Sequence, residues 1–131
     1  VFFVNWQTEI FRPIRIYEDA DFRVILDASP ATKGHVLILP KQHYANMFEI
    51  DDEVLAKAAK LAKKVITHEK EVLGCDGYNV LQNNGEAAGQ TVFHFHMHLI
   101  PRKAGDQAVP EWEHLSLSDD EMKEICDKMK M

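Results

Sequence analysis

Apolar and polar positions change period several times along this chain. From Ile14 to Leu39 the apolar residues come in short runs separated by turn residues. Arg15–Tyr17 and Phe22–Leu26 flank the acidic turn Glu18–Asp21, which predicts a hairpin. A third run, Val36 to Leu39, follows Gly34 and stops at Pro40; it is almost continuously apolar and predicts a central strand. Between Asp51 and Leu73 the period lengthens. Val54, Leu55, Ala58, Leu61, Ala62, Val65 and Ile66 recur at three and four residues, the spacing of one helical face. Asp51 or Asp52 can cap the start of that helix and Gly74 can end it. GYNVLQN, from Gly77, predicts a fourth strand, NGEAAGQ a loop, and TVFHFHMHLIP, Thr91 to Pro101, a fifth strand. After Pro101 the segment RKAGDQAVPEWEHLSLS has no period and reads as an arm. Ser118 followed by Glu121 has capping-box spacing, so a last helix is predicted from Asp119 towards Met131. Together these elements predict an α+β domain: a five-stranded, mostly antiparallel sheet with one long helix and a C-terminal helix.

Composition narrows the class. A chain of 131 residues suits one domain. With 46% hydrophobic and 27% charged residues, and no apolar run near the roughly 20 residues that cross a bilayer, a soluble protein away from membranes is expected. No signal-peptide pattern is present, although the chain begins at Val1 rather than Met; a cytoplasmic location is the default expectation. Cys75 and Cys126 form no C-x-x-C pattern, so two reduced thiols are expected rather than a disulfide framework or a cysteine zinc site. A formal charge of -6 argues against binding duplex nucleic acid, which takes lysines and arginines along the phosphates. Phosphate, if handled here, is handled by a few placed groups.

The candidate chemistry lies in HFHMHLI, which spends three of seven histidines within five positions. On an extended strand His94, His96 and His98 share one face, while Phe93, Phe95, Met97 and Leu99 share the other. A solvated sheet face is the plainest reading. A zinc ion held by nitrogens at about 2.0–2.1 Å is a second. The outer histidines are about 13 Å apart along the backbone, however, so an ion would use two of them and leave the third idle. A third reading occupies all three rings. A neutral histidine whose Nδ1–H is held by an acceptor presents Nε2 as a lone pair. The middle ring suits that task, and its neighbours can contact an anionic centre and donate a proton to a leaving group. The preceding NNGEAAGQT is an ordinary loop by itself. Beside the histidines, Gly85 and Gly89 with the polar Gln90 and Thr91 read as a phosphate cradle.

His94-Phe95-His96-Met97-His98-Leu99-Ile100 fits His-φ-His-φ-His-φ-φ, with φ apolar, at every position. With YEDADFRVILDASP, KGHVLILPKQH, NNGEAAGQT and the closing IPR in the same order, the chain resembles the histidine-triad (HIT) nucleotide hydrolases and transferases from Ile14 to Arg102. The resemblance implies that His96 attacks the α-phosphorus of a purine nucleotide, giving a nucleotidyl-histidine that water hydrolyses to an AMP-like product. His94 would orient His96 through its backbone carbonyl, His98 would contact phosphate oxygens, and His35 would complete the network. Asp27 falls at the ribose-binding position and Ile25 and Ala28 at the base pocket, with Phe3 and Trp6 as lids. Asn83, Gly89, Gln90 and Thr91 would bind phosphate or leaving group. By residue type alone Asp27 equally starts a turn and Ile25 and Phe3 equally belong to a core. His43 is expected at a turn or the edge of the site, outside catalysis.

The resemblance further implies a homodimer joined through the long helix and the fourth strand, with Trp112 of the arm able to reach a partner's site. Some bacterial relatives hold zinc partly through an N-terminal cysteine pair. VFFVNWQTEI has no cysteine, so neither metal nor cofactor is expected. The implied activity is phosphoramidate or phosphoanhydride cleavage, as a nucleoside phosphoramidase or a dinucleoside polyphosphate hydrolase. The competing classes are a nucleotide-binding scaffold with incidental hydrolysis and a metal-dependent hydrolase using two triad histidines.

Overall fold

A computed structural model describes residues 14–108 and 112–131. Strand β1, Arg15–Glu18, turns at Asp19, whose Oδ1 accepts from the N–H groups of Asp21 and Phe22 at 2.8 and 2.7 Å. The chain then runs back as β2, Phe22–Leu26, and crosses to β3, Val36–Pro40. With β4, Gly77–Gln82, and β5, Met97–Arg102, the sheet order is β1-β2-β3-β5-β4, and every pair is antiparallel. β3 is central, as its unbroken apolar run predicts.

Helix α1, Asp52–Leu73, starts and stops at the residues its sequence marks. Asp51 caps it by accepting from the N–H groups of Glu53 and Val54, and Gly74 closes it in the left-handed conformation at φ 66°. Among the described residues no helix is long and apolar enough to cross a membrane. The inner face of α1, with Ala58, Leu61, Ala62 and Val65, covers Val24, Val36, Ile38, Met97 and Leu99. Strand alternation then sends Ile25, Leu37 and Leu39 to the opposite side, where Val92 packs on them. His98 pairs with Leu37 across the ladder and therefore shares that second side. Helix α2, Asp119–Met129, carries the capping box of Ser118 and Glu121 that its spacing predicts. None of its residues is buried.

The fifth strand is shorter than the sequence pattern predicts. It begins at Met97 rather than Thr91, and Phe93, expected in the core, is 53% exposed. Two bonds draw the preceding segment out of the ladder. The N–H of Phe95 reaches the carbonyl of Tyr44 at 2.7 Å, and the carbonyl of His94 is taken by the ring of His96. On the neighbouring strand Pro40 has no N–H to extend the pairing. Its carbonyl accepts from the His94 ring instead.

One buried carboxyl sits under α1. Glu69 is 6% exposed, and burial raises its pKa from 4.5 to about 7, against a lowering contribution from the Tyr78 hydroxyl. A group whose pKa rises on folding contributes stability below its unfolded value and loses that contribution as pH climbs through the folded value. Wild type is therefore expected to lose about 1–3 kcal/mol between about pH 4.5 and 7, and Glu69→Gln to lose much less. Denaturant melts across that window check this; parallel pH profiles for the two proteins would remove Glu69 as the cause.

Candidate active site

The β2–β3 hairpin sets the first part of the site. Leu26 and Val36 are its last ladder pair, and beyond them the N–H of Asp27 donates to the carbonyl of His35 at 2.9 Å. Asp27 and His35 are thus opposed at one end of the hairpin, next to His98 of β5. His35 Nε2 lies 3.0 Å from His98 Nδ1, and Asp27 Oδ2 lies 3.4 and 3.9 Å from the same two nitrogens. The second part comes from the segment drawn out before β5. His96 Nδ1 is 2.8 Å from the carbonyl oxygen of His94, and the His94 ring reaches back to Pro40 through Nε2 at 2.8 Å. The His96 and His98 rings stand 5.0 Å apart at 64°.

These partners assign the ring protons, because a carbonyl only accepts and a backbone N–H only donates. His96 carries its proton on Nδ1, which leaves Nε2 unprotonated. His94 carries its proton on Nε2. His35 Nδ1 accepts from the N–H of Ala31 at 2.9 Å, so the His35 proton is on Nε2 and points to His98 Nδ1 or Asp27. Donation to His98 Nδ1, the shorter contact, places the His98 proton on its outer nitrogen, Nε2.

Burial keeps these rings uncharged. His35, His94 and His96 are 5%, 2% and 8% exposed. Loss of water lowers the pKa of all four rings, to about 4 for His94 and His98, while Asp27 pulls those of His35, His96 and His98 the other way. At neutral pH the cluster is a chain of neutral imidazoles with ordered protons.

Asp27, His35 and His98 also form a possible cation donor set, with one ligand atom from each within 4.8 Å of the others. The proton order opposes that use. A metal on His35 Nε2 would need a proton on Nδ1, and the N–H of Ala31 already points there. The donor set fits a hydrogen-bonded relay better than an ion.

The remaining expected residues divide. Ile25, 1% exposed, backs the site from within the second core cluster, and Ala28 is exposed at the turn after Asp27. Phe3 and Trp6 lie outside the described residues. Asn83 follows β4 and Gly89 sits near its amide, with a left-handed φ of 94° that ends a single 3-10 turn, Glu86–Ala88. Thr91 is exposed beside them, and Trp112 is 78% exposed. The Gln90 side chain is engaged within the protein. Its amide hydrogens go to the carbonyls of Ala45 and Val92 at 2.6 and 3.0 Å, and its oxygen accepts from the N–H of Gly85 at 2.8 Å. Buried at 2% exposure, it pins the glycine loop to the segment before α1. His43, expected at a turn or the edge of the site, lies against the triad: its Nδ1 is 2.9 Å from His94 Nδ1, a contact that no local sequence signal specifies.

An antiparallel sheet that carries neutral, proton-ordered histidines on the side away from its helix defines a class of protein able to offer one imidazole nitrogen to an electrophile. The family described as HIT domain matches residues 12–105. A HIT-like protein of Methanocaldococcus jannaschii is 46% identical over 94 residues, 72% of each chain. The adenosine 5'-monophosphoramidase hnt1 of Schizosaccharomyces pombe is 38% identical over 122 residues, 89% of each chain. The crystal structure of a HIT family protein from Bacillus anthracis superposes with a TM-score of 0.79 at 33% identity, covering 89% of this chain and 85% of that one. The chain belongs to the HIT family.

Replacing Gln90 with Ala strands one N–H and two carbonyls. A destabilisation of about 1–3 kcal/mol is expected in thermal or urea melts. An unchanged melt with a raised KM would return Gln90 to the role of phosphate ligand.

Proposed function

We propose that this protein is a hydrolase that cleaves purine nucleotides at the α-phosphate through a nucleotidyl-histidine on His96, releasing AMP or a close analogue. The observation that carries this reading is the 2.8 Å bond from His96 Nδ1–H to the His94 carbonyl, which leaves Nε2 unprotonated at neutral pH. In the first step the Nε2 lone pair forms a bond to phosphorus as the bond to the leaving group breaks. As that bond breaks the leaving group takes a proton from solvent water, while His98 Nε2–H donates a hydrogen bond to it. The imidazole ring, now bonded to phosphorus, is positively charged, and the carbonyl on its Nδ1–H stabilises that charge. In the second step a water oxygen attacks phosphorus and releases its proton to solvent. The electron pair of the phosphorus–nitrogen bond returns to His96, which restores the ring.

The ordered protons keep His98 a hydrogen-bond donor at Nε2, since His35 holds its Nδ1. Asp27 receives the ribose hydroxyls, its Oδ1 already fixed by the N–H of Ser29 at 2.8 Å. Ala28 and the backing Ile25 form the base side, and Asn83, Gly89 and Thr91 the phosphate side. A phosphoramidate is the favoured substrate, because a leaving amine is stabilised by the hydrogen bond that His98 Nε2–H supplies; the 38% identity to a monophosphoramidase over 89% of the chain supports the same choice. A phosphoanhydride-linked second nucleotide is the alternative leaving group. The protein acts as a homodimer. β4 is an edge strand with Val80 48% exposed, and Val72 of the adjoining helix is 67% exposed, a combination that invites pairing with a second copy.

Turnover of adenosine 5'-phosphoramidate by chelator-treated protein tests the reading. Wild type is expected to release AMP and His96→Ala to be slower by about 10³-fold or more. Equal rates for the two proteins, or activity that returns only with added metal, would overturn it.

A further inference from the structure

The His94 ring is gripped at both nitrogens. Nε2–H donates to the carbonyl of Pro40, the last residue of β3, at 2.8 Å. Nδ1 lies 2.9 Å from Nδ1 of His43, and the two rings are 5.0 Å apart and tilted by 37°. Because His94 is a neutral ring whose one proton is on Nε2, its Nδ1 can only accept. The proton between the two Nδ1 atoms therefore belongs to His43. The carbonyl of this same His94 is what holds His96 Nδ1–H.

We propose that His43 is a positioning residue: together with the Pro40 carbonyl at the other nitrogen, its Nδ1–H holds the His94 ring in orientation and in the Nε2–H tautomer, and so fixes the carbonyl that keeps the nucleophilic nitrogen of His96 unprotonated. His43 itself is exposed, so the interaction does not serve to bury it. What it changes is the state of a ring that is 2% exposed. Without a donor at position 43, the buried Nδ1 loses that hydrogen bond. With an acceptor there instead, the ring gains by moving its proton to Nδ1 or by rotating. Either change gives up the bond to Pro40 and releases the backbone at His94, two residues before the nucleophile. The burial that lowers the His94 pKa to about 4 works with this donor, since a protonated His94 would set two donors face to face.

The effect on rate rests on the reading of His96 as nucleophile; the tautomer of His94 does not. His43→Asn and His43→Asp separate the two, because they differ only in whether the side chain can donate at that place. Asn offers N–H, while an ionised Asp offers acceptors alone. In the full chain, nitrogen-15 spectra of the histidine rings are expected to show His94 as the Nε2–H tautomer in wild type and His43→Asn. In His43→Asp that signature is expected to be lost, and in His43→Ala, where the Pro40 carbonyl still holds Nε2–H, the His94 signals are expected to broaden. With adenosine 5'-phosphoramidate, kcat is expected to fall about 10–100-fold in the Asp and Ala variants with KM nearly unchanged, and Asn to restore most of it. Persistence of the Nε2–H tautomer in His43→Asp, or Asn and Asp variants that behave alike, would overturn the proposal. If wild type turned over no nucleotide, the assigned function would fail while the spectra still decided the role of His43.

Discussion

The bond between the His94 carbonyl and the His96 ring is the constraint on which the site depends. It spans only two residues, so it forms only where the backbone has left the ladder; a carbonyl engaged in regular pairing has its direction set by the next strand. The late start of β5 at Met97 is therefore a condition of the chemistry. Pro40 on the neighbouring strand makes this inexpensive. It offers no N–H that would go unpaired, and its carbonyl finds a donor in the His94 ring.

The rest of the fold supplies two things that this bond needs. The first is position. β2, β3 and β5 send alternate residues to α1 and to the opposite side, so Met97 and Leu99 anchor the core while His98 stands beside His35 and Asp27. A slip of one residue in the β3–β5 register would put His98 under the helix and Leu99 in the site. The second is a dry surrounding. Burial makes charging each ring unfavourable, and this keeps a proton off His96 Nε2 at neutral pH. Position and dryness meet in Gln90, a polar residue whose whole hydrogen-bonding capacity goes to holding the glycine loop in place.

Much of this was legible in the sequence, and the reasons are local. α1 announces itself through its period and both of its caps, and α2 through Ser118 and Glu121. The strands follow from short apolar runs between turn residues, and the strict alternation of His94, His96 and His98 points to one shared task. The features that the sequence does not specify have a common origin. Alternation cannot distinguish a strand from a segment that keeps extended geometry without pairing, so Phe93 was expected inside. Gln90 and His43 depend on partners far along the chain, Ala45 and His94, and nothing in their immediate neighbours specifies those contacts. The ring protons lie further still from the sequence. They follow only from which backbone group, an N–H or a carbonyl, faces each nitrogen.

The central claim is that one nitrogen, Nε2 of His96, carries the nucleotidyl group during turnover. Rapid acid-free quenching of the wild-type protein with adenosine 5'-phosphoramidate, followed by peptide mass mapping and phosphorus-31 spectroscopy of the labelled peptide, addresses it directly. The account predicts an adenylyl group on His96, bonded through Nε2. An adenylyl group on His94, His98 or any other side chain, or on Nδ1 of His96, would contradict it.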